Sequence, residues 1–137
     1  ELPLHIRQGN ALDLSAYLDE TYDLTLLLGP MYHLFTTQDQ HRAFSEALRV
    51  TKKGGVLMTA YCIADASILM HGFVKGNVHQ LITDGLLDPE HFIARSRPQD
   101  LFQLWRKEEI ERLTASYPVQ RLHYVAADLA ANYQRQA

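Results

Sequence analysis

Cysteine occurs once in the 137 residues, at Cys62, so no disulfide framework can form and a reducing compartment, the cytoplasm, is expected. Cys62 stands in an apolar stretch, the setting of a small buried hydrophobe more than of a nucleophile. No apolar run approaches the roughly 20 residues that cross a bilayer. The N-terminus also lacks a charged stretch leading into an apolar one, so no membrane partner is expected. Charge of one sign is scarce. The 13 Lys and Arg against 16 Asp and Glu leave a net charge of −3, which offers no broad basic footprint to nucleic-acid phosphates, so no nucleic-acid partner is expected, a local patch aside. Seven histidines are present, but none has HExxH or another recognised ligand spacing, and one thiol cannot build a thiolate site; no metal is expected. There is no GxGxxG, which disfavours a nicotinamide-dependent oxidoreductase. Repeats, low-complexity tracts and flexible linkers are missing too, so residues 1–137 read as a single domain.

What is present is a chain with 47% hydrophobic residues, enough for a core. Leu4 to Arg7 predicts a short strand that ends at Gln8-Gly9-Asn10, and Asp13 is a candidate N-cap for a brief helical turn over Leu14 to Leu18. Leu24 to Leu28 is apolar except for Thr25, the pattern of a strand buried on both faces in a parallel sheet. Thr37 and Gln40 are spaced as a capping box, and Phe44, Ala47 and Leu48 form a stripe at helical spacing, closed by Lys52, Lys53 and Gly54. A second apolar strand follows over Val56 to Ile63. Strand, helix and strand in this order predict a βαβ unit, and the fold class is α/β with a mostly parallel, Rossmann-like sheet flanked by helices. Beyond it, Ala66 to Thr83 reads as a helix interrupted at Gly72 and Gly76, and Leu101 to Trp105 as a strand. Arg106 to Tyr117 reads as a helix with Ile110 and Leu113 inward, Val119 to Ala126 as a strand, and Asp128 to the end as helical.

In an open parallel sheet, ligands bind beyond the carboxyl ends of the strands. Three such ends are Gly9-Asn10-Ala11, Gly29 to His33, and Tyr61 to Ile63. Gly29, without a Cβ, would let a ligand approach the backbone, and Pro30 would fix the exit direction. The alternative is that Gly-Pro only turns the chain off the strand.

"IRQGNALDL", "YDLTLLLGPMYHL" and "ALRVTKKGGVLMTAY", in this order and at these separations, resemble the middle motifs of the class I S-adenosylmethionine-dependent methyltransferases, particularly bacterial members with Gly-Pro-aliphatic-Tyr-His-Leu after the fourth strand. The resemblance covers Leu4 to Ile63 best. It implies a cofactor-side region over 1–63, a substrate cover over 64–100, where Met70, Phe73 and Phe92 would line an apolar pocket, and a C-terminal helix and strand over 101–137. The family's opening strand, its glycine-rich loop and the acidic end of its second strand have no counterpart, nor does its antiparallel seventh strand. The chain therefore reads as a partial methyltransferase domain. In the family those elements separate the third strand from the fourth and the fifth from the sixth, so their loss predicts exposed sheet edges and a homo-oligomer formed through them.

By the same resemblance, Asn10 and Ala11 would meet the adenine of S-adenosylmethionine. Leu28, Gly29 and Pro30 would line its methionyl side, while Tyr32 and His33 would face the methyl group or its acceptor, a small molecule. Tyr32 offers an electron-rich face to a cationic sulfonium, and His33 a proton acceptor that works near neutral pH. Each residue has a plainer use: Asn10 in a turn, Tyr32 in packing, His33 as a cap. Trp105 and Tyr117 read as packing residues. A non-catalytic remnant or interaction module on the same frame is the alternative function.

Overall fold

A computed structural model of the chain describes residues 3–125. The chain forms two compact units, one of Glu1–Cys62 with Arg95–Trp105 and one of Ile63–Ala94 with Arg106–Ala137. The helical reading from Asp128 onward lies outside the described residues, as does the end of the strand expected over Val119 to Ala126; residues 119–125 form no strand.

The first unit is built on β1 (Tyr22–Leu27), α1 (Thr37–Val50) and β2 (Thr51–Thr59). β1 and β2 pair in parallel, Leu24 against Val56 through Leu27 against Thr59, as the βαβ reading expects. α1 starts one residue earlier than the Thr37–Gln40 box predicts. The cap is Thr36, whose hydroxyl accepts from the Asp39 N–H at 3.1 Å and donates to the Asp39 carboxylate at 2.7 Å, and Gln40 is instead buried with its amide on the Leu34 carbonyl at 2.9 Å. The buried stripe runs Gln40, Ala43, Phe44, Ala47 and Val50, the 3.6-residue spacing of a helix with one face on a sheet.

The helix also ends before Lys52-Lys53-Gly54. Thr51 turns to extended backbone, its hydroxyl bonded to the Ala47 carbonyl at 2.7 Å and to the Thr25 hydroxyl at 2.6 Å. Gly54 then serves a bulge rather than a helix cap. Tyr22 faces Thr51 and Leu24 already faces Val56, so β2 must lose residues from the ladder, and Gly54 does this at φ +78. Gly55 is required for a different reason, since a Cβ there would stand 2.9 Å from the Asp23 and Lys52 carbonyl oxygens.

The unbroken apolar run of β1 predicts burial on both faces, but the structure covers one. Leu27 is buried against α1, while Leu24, Leu26, Leu28, Val56 and Met58 remain 39% to 56% exposed. Only alternate residues meet the helix, because side chains of a strand alternate between faces. Leu4 to Arg7 is likewise not a strand; it is irregular and exposed. A strand exists only through a partner's hydrogen bonds, and the sheet of β1 and β2 has no third strand. β3 (Cys62–Ile63) and β4 (Leu104–Trp105) are two residues each and lie outside that sheet. The Rossmann-like expectation is thus met by a parallel βαβ core, not by a continuous sheet.

The loop before β1 is fastened to α1 by charge. Glu46 accepts from the Leu14 N–H at 2.7 Å and from Arg49, and Arg49 also donates to the Leu14 and Tyr17 carbonyls and to Asp19. Asp13 does not cap a helix; it accepts from the Ser15 N–H two residues on, closing a local turn. The Arg49 guanidinium holds the Glu46 carboxyl below its ordinary range. A carboxyl depressed on folding contributes stability above its unfolded value, about 4.3, and that contribution fades as pH falls through the folded value. Glu46→Gln is therefore expected to lower stability at pH 7 by about 1 kcal/mol, after allowing for solvent screening. Melts repeated below about pH 4 should show the gap closing; a gap that persists there would refute this account.

In the second unit, α2 (Ala64–Ser67) passes into a π-helix over Ile68–Val74, and Gly76, at φ +74, breaks the chain before α3 (Val78–Thr83). The helix interrupted at glycines is thus present, with Gly72 inside the wider turn, 3.6 Å at its Cβ position from Leu81 Cδ1. Leu87 is fully buried. α4 (Lys107–Thr114) is shorter than predicted, with Ile110 and Leu113 inward as the spacing implies. Phe73 and Phe92 meet at 5.9 Å between ring centroids. Among the described residues no helix is long and apolar enough to cross a membrane.

Candidate functional site

β1 ends one residue before Leu28, and Gly29-Pro30 starts a tight turn. Proline suits the first position of the 3₁₀ turn over Pro30–Tyr32, where its missing N–H costs nothing. Met31, at 0% exposure, anchors the turn in the core. The Tyr32 hydroxyl donates back to the Leu28 carbonyl at 2.7 Å, and the His33 N–H to the Pro30 carbonyl at 2.9 Å. The Tyr32 and His33 rings meet edge-on at 4.8 Å.

Gly29 is the informative residue. Its φ of −135 is negative, outside the left-handed range, and a Cβ built on it would meet nothing within 4 Å. Internal packing does not call for glycine there. Open space beside a bare backbone at the end of a parallel strand is what close approach of a ligand requires.

Leu28, Gly29, Pro30, Tyr32 and His33 therefore gather in one turn. Asn10 and Ala11 lie in another, exposed at Asn10, whose side-chain oxygen accepts from the Leu12 N–H at 3.0 Å while its carbonyl accepts from the Asp13 N–H. This is the turn role of asparagine; its amide donors are not used by that bond. No hydrogen bond or ring contact joins the two turns among the described residues. A recess of about 600 Å³ is lined by Asp13, Ser15, Tyr17, Leu18, Asp19, Arg42, Glu46 and Arg49, the charged fastening described above, and not by the turn after β1.

Sequence reasoning misses what supports the turn. Trp105 is no mere packing residue: at 3% exposure, its indole N–H donates to the Met31 carbonyl at 2.7 Å, and its ring meets Tyr61 at 5.1 Å. Phe102 packs against both Tyr32 and His33 at 5.6 Å. These partners are 44 to 74 residues apart in the chain, where no local period can link them. Cys62 is half-buried, and burial pushes its thiol up, away from the reactive thiolate. Among the described residues no group of three or more His, Cys, Asp or Glu could hold a metal ion.

Comparison with known families adds one match: residues 1–59 fit the family model described as a methyltransferase domain. No curated protein and no solved structure matches the chain.

Proposed function

We propose, on the premise that residues 1–59 belong to the methyltransferase-domain family, that the chain serves methyl transfer from S-adenosylmethionine to a small-molecule acceptor. The open space beside Gly29 is the observation that supports this reading most directly. S-adenosylmethionine, when bound, supplies an electrophilic methyl group carried on a sulfonium. Leu28, Gly29 and Pro30 would hold its methionyl part along the bare backbone, and the amide of Asn10 with the backbone of Ala11 would meet the adenine edge. Methyl transfer needs positioning more than covalent help from the protein. Tyr32, whose hydroxyl is spent on Leu28, contributes its ring face to the positive charge rather than a proton. His33 is the exposed base of the turn and takes the proton that the acceptor gives up.

The second reading is a non-catalytic module that pairs with a second copy of itself. It draws on the uncovered aliphatic face of β1 and β2, since parallel sheets are ordinarily covered on both sides. That face amounts to roughly 400 Å², within the range of ordinary surface patches, and about half of what one partner gives to a standard interface. An area of that size argues against this face alone holding a stable pair.

Calorimetric titration with S-adenosylmethionine and S-adenosylhomocysteine tests it, with Gly29→Ala beside the native chain. Saturable binding is expected for the native chain, and binding weakened by about tenfold or more, 1.4 kcal/mol, for the variant. The melting temperature of Gly29→Ala should stay level or rise slightly, because alanine narrows the unfolded ensemble at no native cost. Equal affinity in both chains would remove Gly29 from the site, and no binding by the native chain would leave the module reading.

A further inference from the structure

Three consecutive residues of the turn after β1 are each held by a short segment some seventy positions downstream. The Trp105 indole N–H donates to the Met31 carbonyl at 2.7 Å. The Gln103 backbone N–H donates to the Tyr32 carbonyl at 2.8 Å. The Leu101 carbonyl oxygen stands 3.2 Å from His33 Nδ1. Between these bonds the Phe102 ring lies against Tyr32 and His33, 5.6 Å from each. Residues 101, 103 and 105 thus brace residues 33, 32 and 31 in turn.

We infer that this brace fixes His33 as the Nδ1–H tautomer, with Nε2 left as the unprotonated nitrogen, so that Leu101–Trp105 is a positioning element for a base at the end of β1. A carbonyl oxygen has only lone pairs to offer, so the hydrogen of the contact belongs to Nδ1, and a neutral imidazole with its N–H there carries its lone pair on Nε2. A free imidazole in water favours the opposite form, with the hydrogen on Nε2. The chain therefore reverses an intrinsic preference. His33 is exposed, and one exposed hydrogen bond holds little by itself. Phe102 makes the difference, because its ring limits the rotation that would carry Nδ1 away from Leu101.

A plainer account is that His33 lies on Phe102 only as surface packing. It predicts no tautomeric bias, so the two accounts separate cleanly. The tautomer depends on the contacts of His33 alone; that Nε2 receives the proton of a methyl acceptor rests on the functional reading above.

The test is two-bond ¹⁵N–¹H correlation spectroscopy of the uniformly ¹⁵N-labelled 137-residue chain above the pH range in which imidazoles titrate. His33→Asn identifies the His33 signals by their loss. A pyrrole-type Nδ1 and a pyridine-type Nε2 are expected for His33, moving toward the Nε2–H pattern in Phe102→Ala while the remaining spectrum is kept. A wild-type His33 that is mainly Nε2–H, or an even mixture, overturns the inference, as does a Phe102→Ala spectrum with His33 unchanged. If the Nδ1–H form is found but the cofactor titration fails, the brace stands and the methyl-transfer reading falls. If the cofactor binds and His33 is Nε2–H, the reverse holds.

Discussion

Trp105→Ala is expected to cost more stability than any other single substitution considered, about 4–8 kcal/mol. The side chain is 3% exposed, and deleting a buried tryptophan costs about 3–5 kcal/mol in lost burial and cavity. Its ring contact with Tyr61 is lost as well. The carbonyl of the buried Met31 would lose the indole donor, at about 1–3 kcal/mol. The combined loss, about 4–8 kcal/mol, takes most of the stability of a domain near the lower end of the usual range of about 5–15 kcal/mol. Trp105→Phe separates the two parts, because it keeps most of the ring and removes only the donor; a loss near the lower of the two figures is expected. Trp105 is the single tryptophan, so urea titrations of these variants must be followed by circular dichroism. A Trp105→Ala chain within about 1 kcal/mol of the native one would contradict the structure at this point.

Gly55→Ala comes second in expected effect. The added methyl would stand 2.9 Å from two backbone carbonyl oxygens and 3.0 Å from Thr51 Cγ2. Backbone cannot swing aside as a side chain does, so the bulge between Tyr22 and Leu24 on the β1 side must open. A cost of about 1–3 kcal/mol is expected for such overpacking, more if the Lys52–Asp23 pair and the first ladder contact are lost with it. The same substitution at Gly29 is expected to cost nothing, since no atom lies within 4 Å of the new Cβ. Parallel urea titrations of the two variants make the comparison, and equal midpoints would show that the bulge is not the tight element described. Two glycines of one chain thus carry opposite meanings: Gly55 is demanded from inside, and Gly29 is left open toward the outside.

The βαβ core was legible because its signals are local. Phe44 and Ala47, read from their helical spacing, are buried on α1, while Leu48 of the same expected stripe is only half-buried and Ala43 and Val50 complete the buried face. The apolar run before Gly29 announces a strand whatever lies beside it. Boundaries were less legible, because Thr36 and Thr37 are both competent caps and the choice fell to the Asp39 side chain, which bonds Thr36. The strand expected at Leu4 to Arg7 failed for a related reason: its residues favour extended backbone, but extended backbone becomes a strand only when another chain segment accepts its hydrogen bonds.

For the candidate site the division is sharper. Residue type and order pointed to Gly29 to His33 as one strand end, to Gly9 to Ala11 as another and to Tyr61 to Ile63 as a third, and the family resemblance singled out Leu28, Gly29, Pro30, Tyr32, His33, Asn10 and Ala11 among them. Sequence by itself determined the chemistry on offer there, because an imidazole, a phenol ring and a bare backbone are properties of residues. Only the tertiary structure decided how that chemistry is presented. It spent the Tyr32 hydroxyl on Leu28, brought Phe102 against His33 and gave the Met31 carbonyl to Trp105, contacts that span up to 74 residues of chain. Such contacts leave no periodic trace, since the free energy that selects them comes from burial and hydrogen bonding between segments whose spacing along the chain is arbitrary.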